Sequence, residues 1–271
     1  MINVALFGSG RMGRAITRTL ADCKDMKLVL VFTAPGTPDV GKDMGVLAGL
    51  PSGENGVIIQ EATDVAQKLK KSKVNVAVDF TEASAATANM TAAASAGCSL
   101  VIGTTGFTPE QRKAIEDAVA KNNVGAVISP NFSVGVNVFW KLLEEAAKKL
   151  PSYDVEIVEA HHKFKKDAPS GTAMKSAEVI AKALGRDLKT SAVYGRQGLS
   201  PRKTEDIAIL AVRGGDIVGD HTAYYITVGE RIEITHRAHG REAFASGIPP
   251  ATRYITKNKG THTMADVLNL N

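Results

Sequence analysis

Cysteine is scarce in this chain. Its 271 residues include two, Cys23 and Cys98, far apart in sequence. No disulfide framework of the kind that staples small secreted domains can be drawn from them, so two free thiols are expected. Aromatic residues are also few, at 5% with a single Trp, and no aromatic-rich RNA-binding motif or long basic run appears. No apolar run is long enough to span a bilayer; the longest are strand-sized. The opening M-I-N-V-A-L-F-G has no basic segment leading into an apolar stretch and a small-residue cleavage site, so no signal peptide is expected. The net charge of +5 comes from scattered lysines and arginines, which read as a solvated surface. Lys163, Lys165 and Lys166 are the exception. These absences favour a cytoplasmic protein with neither membrane nor nucleic acid as partner. At 44% hydrophobic residues, the chain is long enough for two domains.

The N-terminal half alternates apolar runs with helical patterns. Ile2 to Phe7 leads at once into Gly8-Ser9-Gly10-Arg11-Met12-Gly13 and a helical stretch from Arg14. This is G-x-G-x-x-G in the setting it requires, between strand and helix. Gly8 allows the sharp turn, Gly10 lets the backbone approach a pyrophosphate, and Gly13 lets the helix pack close. A second strand, Lys27 to Thr33, ends in Thr33-Ala34-Pro35. No acid stands where an NAD-binding fold often places one for the ribose 2′-OH. Acceptance of NADPH is therefore expected without excluding NADH, with Arg11 as a positive partner. The glycine- and proline-rich segment 34–56 reads as a long surface loop. Further strands over 74–80, 99–102 and 125–129 alternate with helices over 63–71, 83–96 and 109–121. The last has Thr108 as N-cap and Pro109 in its first turn. This βαβ order predicts a doubly wound parallel sheet. Its cofactor-binding turns lie at strand ends: Gly8 to Gly13, Thr33, Phe80-Thr81, Gly103-Thr104-Thr105 and Ser129-Pro130-Asn131-Phe132.

From about Phe132 the pattern changes. An amphipathic helix over 136–150 is followed by strands over 153–158, 207–213, 221–228 and 231–237, the last two joined by a tight hairpin at Gly229-Glu230. This predicts a C-terminal α+β domain with a mixed, mostly antiparallel sheet, spanning 132–241. Residues 1–131 form the dinucleotide-binding domain, and the segment 242–271, helical over 242–257, returns to it. One row of the second sheet is expected to face a partner subunit.

The concentrated chemistry lies in E-A-H-H-K-F-K-K-D-A-P-S-G-T, Glu159 to Thr172. It runs from a strand end to a helix N-terminus, where free N–H groups receive carboxylates or phosphates. A histidine titrating near neutrality suits a proton step, and His161 is the first choice, with Lys165 as polarising cation. Two structural histidines would be the plain alternative, but the adjoining lysines and S-G-T turn weigh against it. Neighbouring strand residues point to opposite faces, so His161 and His162 do not easily share a metal ion, and none is expected. Ser170 lacks a nucleophile elbow and reads as a helix cap.

Taken with G-T-T-G, N-F-S-V-G-V-N, G-D-I-V-G-D-H-T and G-E-R-I-E-I-T-H, these motifs resemble the dihydrodipicolinate reductases nearly from end to end. The resemblance implies an N-terminal Rossmann domain, a C-terminal domain for substrate and tetramerisation, and reduction of a small cyclic dicarboxylate by NADH or NADPH. By position, it makes His161 and Lys165 the catalytic pair. His162, Gly171 and Thr172, with Ser170, would hold the substrate carboxylates, and Arg241 would lie near a hinge. There are departures. The glycine turn G-S-G-R-M-G is one residue shorter than in many members, Phe164 replaces a frequent His, and Thr33-Ala34 replaces an acid and a basic neighbour. Two other readings stay open: a different amino-acid-precursor dehydrogenase on the same scaffold, and a non-catalytic dinucleotide sensor or nucleic-acid binder.

Overall fold

The computed structural model describes all residues, Met1–Asn271. The chain divides into two compact units. One comprises Met1–Ser133 with Phe244–Asn271, the other Val134–Ala243.

In the first unit the strands are β1 (Ile2–Phe7), β2 (Met26–Thr33), β3 (Ile59–Glu61), β4 (Val76–Asp79), β5 (Ser99–Ile102) and β6 (Gly125–Ile128). Between them lie α1 (Arg11–Ala21), α2 (Met44–Ala48), α3 (Val65–Lys71), α4 (Ala83–Ser95) and α5 (Pro109–Lys121). The second unit comprises α6 (Val134–Lys149), β7 (Asp154–His161), α7 (Gly171–Ala183), α8 (Leu188–Ser191), β8 (Ala192–Val193), β9 (Ile207–Arg213), β10 (Gly219–Thr227), β11 (Glu230–Ala238) and the start of α9 (Glu242–Ala245). The C-terminal segment adds α10 (Ile248–Ile255), β12 (Gly260–His262) and α11 (Met264–Val267).

The first unit holds a seven-stranded sheet in the order β12-β6-β5-β4-β1-β2-β3, and every pairing in it is parallel. Parallel strands are covered on both faces, which is why β4, β5 and β6 are mainly apolar and buried at every position, Asp79 and Ser99 included. Side chains alternate across β1. Val4 and Leu6 join the core under α1, α2, α10 and α11; Ala5 and Phe7 join the core under α3, α4 and α5. The helix over 109–121 starts as the sequence predicts, with Thr108 and Gln111 forming a reciprocal capping box.

Segment 34–56 is not the featureless loop expected from its composition. Asp43 caps α2, accepting N–H bonds from Gly45 and Val46, and also from Asn55 and Gly56. A five-residue helix is too short to show a periodicity, and it is held by a carboxylate that gathers four backbone donors rather than by its own pattern. The helix expected over 242–257 is two helices, because Gly247 packs its Cα against the Phe132 carbonyl and donates to it at 2.8 Å. The edge strands β3 and β12, of three residues each, also lack a sequence signal.

In the second unit a five-stranded sheet runs β11-β10-β7-β9-β8. It is mixed: β11, β10 and β7 pair antiparallel, and β7, β9 and β8 pair parallel. The tight turn between β10 and β11 is Val228-Gly229, one residue earlier than expected. Helices α6 and α7 cover one face, where Phe139, Trp140, Leu143, Ala177 and Ile180 pack on Val155, Ile157, Ile209, Ala223 and Tyr225. The Tyr225 hydroxyl donates to the Leu143 carbonyl at 2.7 Å, satisfying a buried phenol. Val158, Leu210, Val212 and Tyr224 alternate to the opposite face, and Val212 there is 48% exposed.

Candidate functional site

Strand β7 runs three residues further than its apolar pattern suggests, and His161 is its last residue rather than the start of a loop. The alternation along β7 puts Val155, Ile157, Glu159 and His161 on the buried face. Burying a carboxylate there demands compensation. Glu159 is fully buried and receives it from three directions. Arg213, beside His161 on β9, grips it in a bidentate pair at 2.7 and 2.8 Å. The Ser170 N–H donates at 3.0 Å, and His161 Nδ1 lies 2.6 Å from Oε2. Burial alone would raise the Glu159 pKa, but these bonds outweigh it and hold the carboxyl below its ordinary value. An ionised Glu159 can only accept, so Nδ1 carries the proton and Nε2 becomes the working nitrogen of His161.

Burial lowers the His161 pKa, against the raising effect of Glu159, with Lys165 and Arg213 pushing it further down. Lys165 itself is held by Asp167 at 2.9 Å, and that bond keeps the Asp167 carboxyl low. Around the ring, Gly219 packs closely: a Cβ there would stand 3.1 Å from His161 Nε2, so the imidazole would have to give by a few tenths of an ångström. His221 packs edge-on to His161 with ring centroids 5.2 Å apart. Its Nε2 lies 3.0 Å from Ser170 Oγ, whose oxygen also caps α7 by accepting from Ala173 N–H at 3.2 Å. Burial depresses the His221 pKa to about 3, with the His161 charge adding to the effect. Gly171 follows the cap, exposed and with open space where a side chain would be. His161 at the end of β7, Lys165 in the connection, and Ser170, Gly171 and Thr172 at the start of α7 thus lie along one strand-to-helix passage. The backbone of His162 is tied to Ile217, and its Nδ1 is buried without a partner. Arg241 lies in the turn before α9 and takes no part in the bonds that bind the histidine cluster.

Sequence reasoning left Glu159, Arg213 and His221 without roles. One signal was available. On a strand, residues two apart share a face, so Glu159 must accompany His161. Nothing local pointed to Arg213, whose place depends on the β7–β9 pairing.

In the first unit the turns at the strand ends converge. Gly8 has φ +108°, a left-handed conformation that favours glycine. A Cβ on Gly13 would stand 1.9 Å from the Gly8 carbonyl oxygen, whereas Gly10 has open space beside it. Gly10 also caps α1 with no side-chain bond. A tight turn, an open glycine and an uncapped helix start fit a dinucleotide pyrophosphate. Phe80 rests on Phe132 with centroids 5.7 Å apart, and a Cβ on Gly103 would strike its ring. Thr81 N–H donates to Thr104 Oγ1 at 2.9 Å, and both threonines bond to Asp79 Oδ1. Ser129 Oγ donates to the Asn131 carbonyl, while Pro130 and Thr105 are exposed. Ser9 Oγ lies 3.3 Å from Thr33 Oγ1. Arg11 and Met12 complete the turn, Arg11 exposed; the arginine whose side chain folds back on the turn is Arg14, donating to the Ser9 carbonyl at 3.2 Å. No acid stands at 33–35 itself, as the sequence indicates. Asp39 arrives from the segment after β2 and accepts from Ser9 Oγ at 2.9 Å.

A parallel Rossmann sheet with a glycine turn of this kind, joined to a second α+β unit, defines the class of oxidoreductases built on a nicotinamide-dinucleotide fold. The comparisons with known proteins narrow the class. The families described as dihydrodipicolinate reductase, N-terminus and C-terminus, match residues 2–132 and 135–268. The chain belongs to the dihydrodipicolinate reductase family. It is 52% identical to the 4-hydroxy-tetrahydrodipicolinate reductase of Methanocaldococcus jannaschii, over 100% of this chain and 98% of the relative. Identity to the Methanococcoides burtonii reductase is 53%, over 99% of each. A solved structure of a dipicolinate-bound dihydrodipicolinate reductase from Paenisporosarcina sp. TG-14 superposes with a TM-score of 0.77 at 26% identity, covering 97% of both chains.

Proposed function

We propose that this chain reduces 4-hydroxy-tetrahydrodipicolinate to tetrahydrodipicolinate with NADH or NADPH, on the diaminopimelate route to lysine. The observation that carries the reading is the buried Glu159 holding His161 at a strand end, beside Lys165 and the start of α7. The coenzyme, when bound, supplies hydride. Residues of this chain do the rest. A dicarboxylate needs positive charge and N–H donors; Lys165 and the Ser170-Gly171-Thr172 turn offer both, His162 adds an imidazole, and Arg241 a guanidinium. The Paenisporosarcina reductase structure holds dipicolinate, also a dicarboxylate, which supports this reading.

His161 is the proton donor. Glu159 fixes its tautomer, so a proton is gained and lost at Nε2, and burial makes the imidazolium a ready donor. Lys165 is the second catalytic group, polarising the substrate and restoring the proton. In the first unit, Gly8, Ser9, Gly10, Arg11, Met12 and Gly13 hold the pyrophosphate. Thr33, Phe80, Thr81, Gly103, Thr104, Thr105, Ser129, Pro130, Asn131 and Phe132 surround the nucleosides. The enzyme works in the cytoplasm, and no helix in it is long and apolar enough to cross a membrane. A homotetramer is supported by the open apolar row of Val158, Leu210, Val212 and Tyr224 on the second sheet.

The test is turnover of NADH and NADPH on the product of the preceding synthase. His161→Ala and Lys165→Ala are each expected to lower kcat by about 100-fold or more. Near-normal kcat in both variants would overturn the assignment.

A further inference from the structure

Asp39 lies six residues past the end of β2. Its carboxylate accepts from Ser9 Oγ at 2.9 Å, and its side chain is 17% exposed. The Arg14 guanidinium stands 3.5 Å from Oδ2 and the Lys42 ammonium 3.7 Å from Oδ1. Ser9 belongs to the glycine turn, and its hydroxyl also reaches Thr33 Oγ1, on the last residue of β2. Four segments therefore meet at one point: the glycine turn, the start of α1, the end of β2 and the segment carrying Asp39 and Lys42.

In a dinucleotide-binding sheet this point reads the adenosine ribose. A carboxylate there accepts from the 2′-OH and repels a 2′-phosphate. Thr33 occupies the strand-end position and has no charge to do this. We propose that Asp39 supplies the missing acid and makes the chain select NADH over NADPH. The inference rests on reading the first unit as a dinucleotide-binding unit.

The two cations do not reverse the argument. Arg14 and Lys42 are 39% and 52% exposed, against 17% for Asp39. Solvent screens them more than it screens the carboxylate. Both already face that carboxylate, so neither is free for a phosphate while Asp39 is charged. Asp39→Asn changes this balance with little change of shape. The amide oxygen still accepts from Ser9, the negative charge goes, and the cations turn towards whatever anion is present.

The experiment is isothermal titration of NADH and NADPH into the full chain without substrate, at one fixed ionic strength. The wild-type chain is expected to bind NADH about tenfold or more tightly than NADPH. Asp39→Asn should shrink that ratio by about tenfold or more, mainly through tighter NADPH binding. Adding Lys42→Ala to Asp39→Asn should give back part of the NADPH gain. Equal binding of the two coenzymes by the wild-type chain, or an unchanged ratio in Asp39→Asn, overturns the proposal alone. Binding of neither coenzyme overturns the dinucleotide reading and the proposal with it.

Discussion

Each unit of this chain buries one carboxylate completely, and the two are handled in opposite ways. Glu159 has both oxygens occupied, by a bidentate arginine, a histidine and a backbone N–H. Asp79 has three donors on Oδ1, from Thr81 N–H, Thr81 Oγ1 and Thr104 Oγ1, and nothing on Oδ2. The pKa directions follow. Burial pushes Asp79 above its ordinary value, because two hydroxyls and an amide do not offset the lost water. Glu159 is driven below its own value despite equal burial, because a guanidinium does. A buried carboxyl is thus an ionised anchor in one unit and a group that resists ionisation in the other. Ionised Glu159 can fix the tautomer of a neighbouring histidine. Asp79 instead ties the Thr81 and Thr104 turns together.

The largest effect should come from removing the cation. Arg213→Ala leaves Glu159 buried and unpaired, and should cost about 3 kcal/mol, the low end for a broken buried pair because Arg213 is itself partly open to solvent. Urea unfolding at pH 7 measures it; a loss under about 1 kcal/mol would mean that Glu159 is not held as an ion. Glu159→Gln should follow, at about 2 kcal/mol, since a neutral amide leaves Arg213 without its counter-charge and turns an NH2 donor towards it. It also removes the group that raises the His161 pKa, so the alkaline fall of kcat should move to lower pH. A shift to higher pH, or none, would break the link between anchor and histidine.

His221 gives a smaller effect. Its folded pKa, about 3, lies below the ordinary value of 6.5. The unfolded chain therefore takes up a proton that the folded chain refuses as pH falls from about 6.5 towards 3, and stability drops across that window. His221→Gln should flatten this part of the stability–pH curve. The smallest effect is expected from Asp79→Asn, under about 1 kcal/mol at pH 7, because an amide imitates a neutral carboxyl. Its sign depends on pH. Wild-type stability falls as pH rises from about 3.8, where the unfolded carboxyl ionises, towards the higher folded pKa, and the variant lacks that slope. If Asp79→Asn proved as costly as Glu159→Gln, the contrast between the two carboxyls would fail.

Much of the fold was legible because its signals are local. The glycine turn, the Thr108 cap and the apolar runs of β1, β5 and β9 are each set by a few adjacent residues, and strand, turn and helix follow from them. Segment 34–56 was misread because α2 is capped by one carboxylate that gathers donors from the helix start and from the segment after it. The break at Gly247 was missed because its cause, the Phe132 carbonyl, lies more than a hundred residues away. The candidate site divides in the same way. His161, Lys165 and the Ser170 turn stood in one stretch of sequence and could be read together. Glu159 was readable in principle, through strand alternation, but Arg213, His221 and Asp39 were not.

The sequence by itself therefore determined the class of fold, the glycine turn and the strand-to-helix stretch that holds the histidine and the lysine. Periodicity, turn chemistry and capping act over a few residues and need no partner from elsewhere. Only the tertiary structure decided which charges meet. Arg213 reaches Glu159 through the register of β7 on β9. Asp39 reaches Ser9 because the chain folds back over the glycine turn. Coulomb energy depends on distance and burial, and the order of residues along the chain fixes neither.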